Sequence, residues 1–199
     1  MVIMVFKEPR EPRNFEEDLS NSNNPLLRKA WEKILRYKFG RDCEIYWKDD
    51  KCIQLGLGTD TVVKTSKGRR FSVETKTRNF NCLSKDYIME IVTHVYDREE
   101  KPRIHLRSKE GWIYSTTAEY IFHATLNKDE TDILEVIFYS LSPFKLEKYK
   151  SEFEQYENLW LATKYDDSGR FQLTLNKLIP VEVIKKDSED FWEWRANGN

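Results

Sequence analysis

The sequence predicts a mixed α/β fold. One segment near the N-terminus has strong helical periodicity, and a succession of short segments rich in β-branched and aromatic residues follows it. The 199 residues include 11 Phe, 10 Tyr and 6 Trp, which is enough apolar surface for a sizeable core. A chain of this length is typical of one domain.

The first predicted element is a helix over residues 25–39. Residues 1–24 before it are rich in Pro, Asn, Glu and Arg and are predicted to form an arm. Asn24-Pro25 is typical of an N-cap followed by proline in the first turn, and Gly40 is a typical C-terminal stop. The apolar positions recur at helical spacing: Leu27, Ala30, Trp31, Ile34 and Leu35.

The remaining elements follow from β-propensity and turn signals. Strands are predicted over 43–48, 59–65, 70–78, 87–96, 118–126, 132–140 and 181–185, with a charged connection over 97–111 and a charged helix over 144–157. A hairpin is predicted around Asp167–Gly169 and an amphipathic tail near 191–194. We divide the chain into an arm (1–24), a core (25–140) and a C-terminal extension packed on the same domain (141–199).

Composition predicts an intracellular, cytoplasmic protein that does not enter a membrane. No apolar run approaches the length of about 18 residues that a membrane helix needs. Cys43, Cys52 and Cys82 are odd in number and lack C-x-x-C spacing, which argues against a disulfide framework and a zinc ribbon.

Charge is unevenly distributed along the chain. The formal net charge is -1, yet residues 64–109 contain 12 Lys and Arg against 6 Asp and Glu, a local excess of +6. This segment could hold a polyanion such as nucleic acid, or it could be an ordinary solvated basic surface.

A hairpin within 58–76 brings two carboxylates together. If 66–68 forms a three-residue loop with Gly68 in the left-handed region, the residue numbers of each opposed pair sum to 134. Asp60 then lies directly opposite Glu74, and alternation points Lys76 to the same side as Glu74. Because opposed like charges destabilise a hairpin, this pair needs a proton or a cation.

A divalent metal would compensate the two carboxylates. Oxygen ligands without suitably spaced His or Cys favour magnesium or manganese over zinc, as one or two ions. Such an ion would polarise a phosphoryl oxygen and lower the pKa of a bound water. Lys76 would position that water or neutralise charge in the transition state.

This set of residues resembles the PD-(D/E)XK nuclease superfamily. The resemblance lies in Gly58-x-Asp60, Glu74-x-Lys76 and the following Thr77-Arg78, with Thr59 in place of the proline, and it covers residues 25–126. It implies a restriction-endonuclease-like αβββαβ core, whose central sheet contains both parallel and antiparallel strands, with additional C-terminal strands and a helix. It also implies magnesium-dependent phosphodiester hydrolysis. It further implies that Asp60, Glu74 and the Thr75 carbonyl bind the metal, with Glu32 in the position of an extra acidic ligand in resolvase and RecB-like members. The helix expected after the E-x-K strand is not obvious, since 87–96 is predicted to be a strand.

The sequence therefore predicts a metal-dependent nuclease, a hydrolase of ester bonds, that acts on DNA rather than RNA. Catalytic roles fall to Asp60, Glu74 and Lys76, and the predicted nucleic-acid contacts are Lys67, Arg69, Arg70 and Arg78. The alternative is a non-catalytic nucleic-acid-binding or interaction protein that keeps the fold. The sequence leaves open whether the protein forms a homodimer.

Several other residues have two interpretations each. Glu32 and Glu90 are either metal ligands or charges that face solvent, and His94, His105 and His123 are packed or solvated. The hydroxyls of Ser115-Thr116-Thr117 form a turn or cap, or else contact phosphate. Trp112 packs in the core or stacks on a base.

Overall fold

The computed structural model describes residues 13–14, 24–47, 59–78, 86–98, 102–164 and 170–196. Its strands are β1 (Arg13–Asn14), β2 (Glu44–Trp47), β3 (Thr61–Lys64), β4 (Arg70–Arg78), β5 (Asp86–Tyr96), β6 (His105–Glu110), β7 (Tyr120–Leu126), β8 (Ile133–Ser140), β9 (Asn158–Lys164), β10 (Phe171–Pro180) and β11 (Trp192–Arg195). Its helices are α1 (Pro25–Phe39), α2 (Trp112–Ser115), α3 (Glu147–Glu152) and α4 (Val181–Asp187), with 3₁₀ turns at Pro143–Lys145 and Phe153–Gln155.

Helix α1 has the bounds that the sequence predicts, and its ends explain why. The Leu26 amide donates to Asn24 Oδ1 at 2.9 Å, and Pro25 occupies the first turn. Gly40 ends the helix at φ 107°, a conformation that favours glycine. The stripe that α1 buries consists of Leu27, Trp31, Ile34 and Leu35.

The central sheet is mixed, as predicted. Its six strands follow the order β11-β8-β7-β4-β3-β2. Strands β4 and β7 pair in parallel, and every other neighbouring pair in this sheet is antiparallel.

A second, five-stranded sheet follows the order β1-β9-β10-β5-β6. Its strands β5 and β6, together with the four-residue helix α2, form the crossover between parallel strands β4 and β7. Parallel neighbours need such a crossover, which is usually a long helix. In the described part of this crossover, strands β5 and β6 occupy the place of the second helix of the expected αβββαβ order, in keeping with the Ile, Val, Thr and Tyr content of 87–96.

The two faces of the central sheet bury different cores. On one face α1 packs with Val63, Val73, Phe122 and Phe138. On the other face Ile121 and Tyr139 pack with residues of β5, α2 and α4. Because side chains alternate along a strand, Glu74 lies on the face opposite to its neighbour Val73, toward the second core.

Four sequence predictions need correction. The connection over 97–111 contains strand β6, whose residues are all exposed and so carry no apolar alternation. Residues 181–185 belong to helix α4, whose first-turn acid and last-turn lysines suit a helix despite its β-branched residues. The tail near 191–194 includes strand β11. The helix over 144–157 is divided into α3 and two flanking 3₁₀ turns.

Two further expectations concern compartment and cysteines. In the described ranges no helix has both the length and the apolarity to cross a membrane. Cys43 is buried and has a free thiol. Cys52 and Cys82 lie outside the described residues, as does Gly58.

Candidate active site

The hairpin that carries the candidate site has the predicted register. The Thr65 amide donates to the Arg69 carbonyl at 2.8 Å, and Gly68 adopts φ 79° in the loop. Thr61 pairs with Val73, so residue numbers of opposed pairs sum to 134 as expected. Asp60, immediately before β3, therefore continues the register toward Glu74.

Asp60 is fixed by the backbone of strand β4. Its Oδ2 accepts hydrogen bonds from the Thr75 amide at 2.8 Å and from Thr75 Oγ1 at 3.1 Å. The Thr75 amide has no ladder partner in β3 because that strand begins at Thr61, opposite Val73. Since the N–H and C=O of one strand residue point to the same side, the Thr75 carbonyl is also directed toward Asp60.

Glu74 is the buried carboxylate of the site. Its side chain is 8% exposed, and its Oε1 lies 2.5 Å from Lys76 Nζ. Burial raises the pKa of Glu74 above its ordinary value, Lys76 opposes this effect, and the charge of Asp60 adds to it. The upward direction means that burial and the charge of Asp60 together outweigh the effects of Lys76 and of the Thr116 hydrogen bond on the pKa of Glu74.

Lys76 is held as a cation. Desolvation lowers the pKa of Lys76, but attraction to Glu74, Asp60 and Glu90 outweighs it, so the pKa is raised. The side chain keeps 35% of its exposure, and its Nζ lies 5.1 Å from the centre of the Trp112 ring. The ammonium is thus charged, partly open to solvent and covered on one side by an aromatic face.

The segment after strand β6 supplies two contacts that the sequence did not predict. Thr116 Oγ1 donates to Glu74 Oε2 at 3.3 Å and accepts from the Ala118 amide at 3.1 Å. Lys145 Nζ anchors the same loop by donating to the carbonyls of Thr116 at 2.9 Å and Ala118 at 2.8 Å. The three consecutive hydroxyl residues at 115–117 indicated a possible polar contact in the sequence, but only the fold shows that Thr116 contacts Glu74.

Glu90 lies on strand β5 near the site. Its Oε1 accepts from Thr93 Oγ1 at 2.8 Å, and its charge helps to raise the pKa of Lys76. Glu90 is therefore a half-buried, hydrogen-bonded carboxylate whose charge acts on Lys76. A ligand role for Glu90 stays a prediction.

Glu32 is not brought to Glu74. It lies on α1, which packs on the Val73 face of the sheet, opposite to Glu74. Within the described residues, Glu32 makes no hydrogen bond or ion pair. Its role as a metal ligand stays a prediction.

The four predicted nucleic-acid contacts divide into two groups. Arg78 follows Lys76 on strand β4, donates to Thr125 Oγ1 at 3.3 Å and covers the Tyr87 ring. Lys67, Arg69 and Arg70 are exposed at the other end of the hairpin. Arg70 is four residues before Glu74, roughly 13 Å along the strand.

The three histidines do not converge. His123 is buried beneath Trp112 and Tyr87, next to the site. His94 and His105 are in contact on strands β5 and β6, where both share Ser108 Oγ at 2.9 and 3.0 Å.

The oxygen atoms of the site suit the coordination that magnesium prefers. Among the described residues, no three His, Cys, Asp or Glu side chains come together to hold a metal. Two carboxylates and a carbonyl remain, from Asp60, Glu74 and Thr75. This fits magnesium, which is commonly bound through one or two carboxylates and keeps several waters.

The chain has little similarity to known proteins. No family model matches the chain, and no curated protein matches it. Among solved structures, the restriction endonuclease BglI bound to its DNA recognition sequence matches with a TM-score of 0.29 and 12% identity. The match covers 70% of this chain and 56% of that chain, so it spans little more than half of that protein. A likeness this weak carries no weight for function, which depends on the geometry described above.

Proposed function

We propose that this protein is a metal-dependent nuclease that hydrolyses phosphodiester bonds, in DNA rather than RNA. The observation that supports this function is that Asp60, at the start of strand β3, lies close to Glu74 and Lys76 of strand β4. A buried carboxylate whose pKa is raised, in the presence of a second carboxylate, is suited to a bound cation.

Each residue has a distinct task in this proposal. Asp60, Glu74 and the Thr75 carbonyl would hold magnesium or manganese. When bound, the ion supplies Lewis-acid polarisation of the phosphoryl oxygen and a lower pKa for water. Thr75 orients Asp60 through its amide and hydroxyl, and Thr116 orients Glu74. Lys76 holds positive charge where negative charge develops on the phosphoryl group, with solvent partly excluded by Trp112.

The test is cleavage of plasmid and oligonucleotide substrates in magnesium or manganese, with EDTA as the negative condition. Asp60→Asn, Glu74→Gln and Lys76→Met should each reduce cleavage by about a hundredfold or more. Full activity in all three variants would refute the proposed site.

The neighbouring strands β2 and β3 offer a matched control pair. Lys64 Nζ lies 2.9 Å from Glu44 Oε1, so this pair has the same charges as the Glu74–Lys76 pair, but its carboxylate is exposed whereas Glu74 is buried. Glu44→Gln and Lys64→Met should leave cleavage unchanged. If the site variants still bind nucleic acid and wild type binds without cleaving in either metal, a non-catalytic binding protein is the better description.

A second measurement follows metal binding without activity. A ligand that binds only the folded state stabilises it, so magnesium or manganese at millimolar concentration should raise the Tm of wild type. Glu74→Gln should abolish that rise, and Glu44→Gln should retain it. An equal metal response in both variants would place the metal elsewhere.

A further inference from the structure

We propose that a pocket between helix α1 and strand β11 binds a nucleoside 5′-phosphate, either free or at the end of a nucleic-acid strand. The pocket has a volume of about 410 Å³ and is lined by Lys33, Ile34, Arg36, Tyr37, Arg41 and Trp194. This volume lies within the range of about 300–1,000 Å³ that is usual for small-ligand sites.

The lining carries three cations, and no acidic side chain is among the described residues that line it. Lys33 and Arg41 are exposed, and neither side chain makes a hydrogen bond or ion pair with a described residue. The three cations line one pocket, and an anionic group bound there would be attracted to all of them. Phosphate suits such a site because it accepts several charge-assisted hydrogen bonds.

Arg36 gives the pocket a fixed wall. Its Nη1 donates to the carbonyls of Arg41 at 2.8 Å and Cys43 at 2.9 Å. These bonds hold the chain that follows α1 against the helix, and they set the position of Arg41 relative to Lys33. The guanidinium has five N–H donors, so Arg36 keeps capacity for an anion.

Two aromatic rings complete the site. Tyr37 is 70% exposed, which is unusual for so large a ring, and Trp194 is half-buried on strand β11. Aromatic faces beside cations are the combination that binds a base by stacking and its phosphate by charge.

This pocket is separate from the candidate active site. It lies on α1, which covers the Val73 face of the central sheet, whereas Glu74 lies on the opposite face. The inference therefore does not depend on the proposed nuclease function. Binding measured in EDTA tests the pocket alone, because metal-dependent chemistry is then absent.

The experiment is calorimetric titration of the full chain in EDTA with adenosine 5′-monophosphate, adenosine, inorganic phosphate and a 5′-phosphorylated oligonucleotide. The monophosphate should bind more tightly than adenosine or phosphate alone. The double variant Lys33→Ala/Arg41→Ala should weaken its binding about tenfold or more, since charge-assisted hydrogen bonds are lost. Tyr37→Ala should weaken the monophosphate and adenosine but not inorganic phosphate.

Lys29→Ala is the matched control, because Lys29 is an exposed cation on the same helix that does not line the pocket. It should bind like wild type. Loss of binding only for the oligonucleotide in the double variant would assign the site to a strand end, and loss for both ligands would assign it to the free nucleotide as well. The inference is overturned if the double variant binds both ligands as tightly as wild type, or if phosphate alone binds as tightly as the monophosphate.

Discussion

At the scale of single residues, burial distinguishes the Glu74–Lys76 pair from an ordinary surface pair. The Glu74 side chain is 8% exposed, whereas Glu44 in the Lys64 pair is 51% exposed. Charge pairs in water contribute little to stability, but a buried carboxylate without its partner is costly. The sequence predicted this pair because it lies inside an apolar strand. The apolar residues of that strand are also the reason why Glu74 is buried.

Breaking this pair from the lysine side should destabilise the fold. Lys76→Met leaves Glu74 buried beside Asp60 with less positive charge, so its pKa should rise further. We expect a loss of about 1–3 kcal/mol in the free energy of unfolding at neutral pH, below the cost for a fully buried pair because Lys76 is about a third exposed. Chemical denaturation measures the loss.

The double variant Glu74→Gln/Lys76→Met should recover part of that stability, because no buried charge is left without a partner. Lys64→Met is the control and should change stability by no more than about 0.5 kcal/mol. Equal losses in Lys76→Met and Lys64→Met would contradict the distinction between the two pairs.

The contacts of two site residues could not be predicted from the sequence. Trp112 over Lys76 and Thr116 on Glu74 are contacts between residues about forty positions apart. Hydrogen-bonding capacity at 115–117 was visible, yet a cap and a side-chain contact have the same local pattern. Thr116 makes the local bond, by accepting from the Ala118 amide, and the path of the chain between strands β4 and β7 adds its contact with Glu74.

At the scale of elements, local signals predicted well where they were strong. Helix α1 has an N-cap, a first-turn proline and a glycine stop, and the β3–β4 hairpin has a loop that fixes its register. Strand β6 and helix α4 lacked such signals: one is exposed throughout, and the other is short and β-branched. Strand β6 is determined by its neighbours in the fold. Helix α4 has charges at its ends that favour a helix, but its β-branched residues outweighed them in the prediction.

Gly111 sets how closely helix α2 approaches strand β5. Its amide donates to the Ile91 carbonyl at 2.8 Å, and a Cβ at this position would overlap the backbone carbonyl of Glu90. Gly111→Ala should therefore push the start of α2 away from β5 and move Trp112 and Thr116 from the site. We expect a destabilisation of about 1–3 kcal/mol, measured by chemical denaturation.

Gly68→Asn is the control for this glycine. Gly68 has φ 79°, and a Cβ there meets nothing within 4 Å, so only the left-handed backbone is at issue. Asn tolerates that region, so Gly68→Asn should lower the free energy of unfolding by much less than Gly111→Ala does. A Gly111→Ala variant as stable as wild type would show that the approach of the two backbones is not tight.

At the scale of the whole molecule, the candidate site lies where the central sheet meets the crossover. Strands β5 and β6 and helix α2 leave the central sheet after β4 and return to it at β7. This excursion covers Glu74, Lys76 and His123 on one face of the sheet. Sequence patterns predicted strand β5 but not strand β6. They also did not predict the division of the strands between two sheets, because that division depends on contacts distant in the chain.

His123 is the titratable group most affected by this arrangement. It is buried at 6% exposure among the rings of Tyr87, Trp112 and Tyr139, and its Nε2 lies 3.4 Å from the Tyr139 hydroxyl. Burial lowers the pKa of His123 well below its usual value, and the charges of Arg78 and Lys76 lower it further. The imidazole is therefore neutral in the folded protein at neutral pH.

This shift predicts how stability changes with pH. The unfolded chain binds a proton at His123 below about pH 6.5 and the folded protein does not, so the stabilisation is complete above that pH and is lost as pH falls. The expected slope is up to about 1.4 kcal/mol per pH unit between pH 6.5 and 5. His123→Phe removes the proton site, and its free energy of unfolding should fall less steeply over this range than that of wild type. His105→Gln, at an exposed position, should keep the wild-type slope. Parallel pH curves for wild type and His123→Phe would mean that His123 takes up its proton equally in both states, and would contradict the lowered pKa.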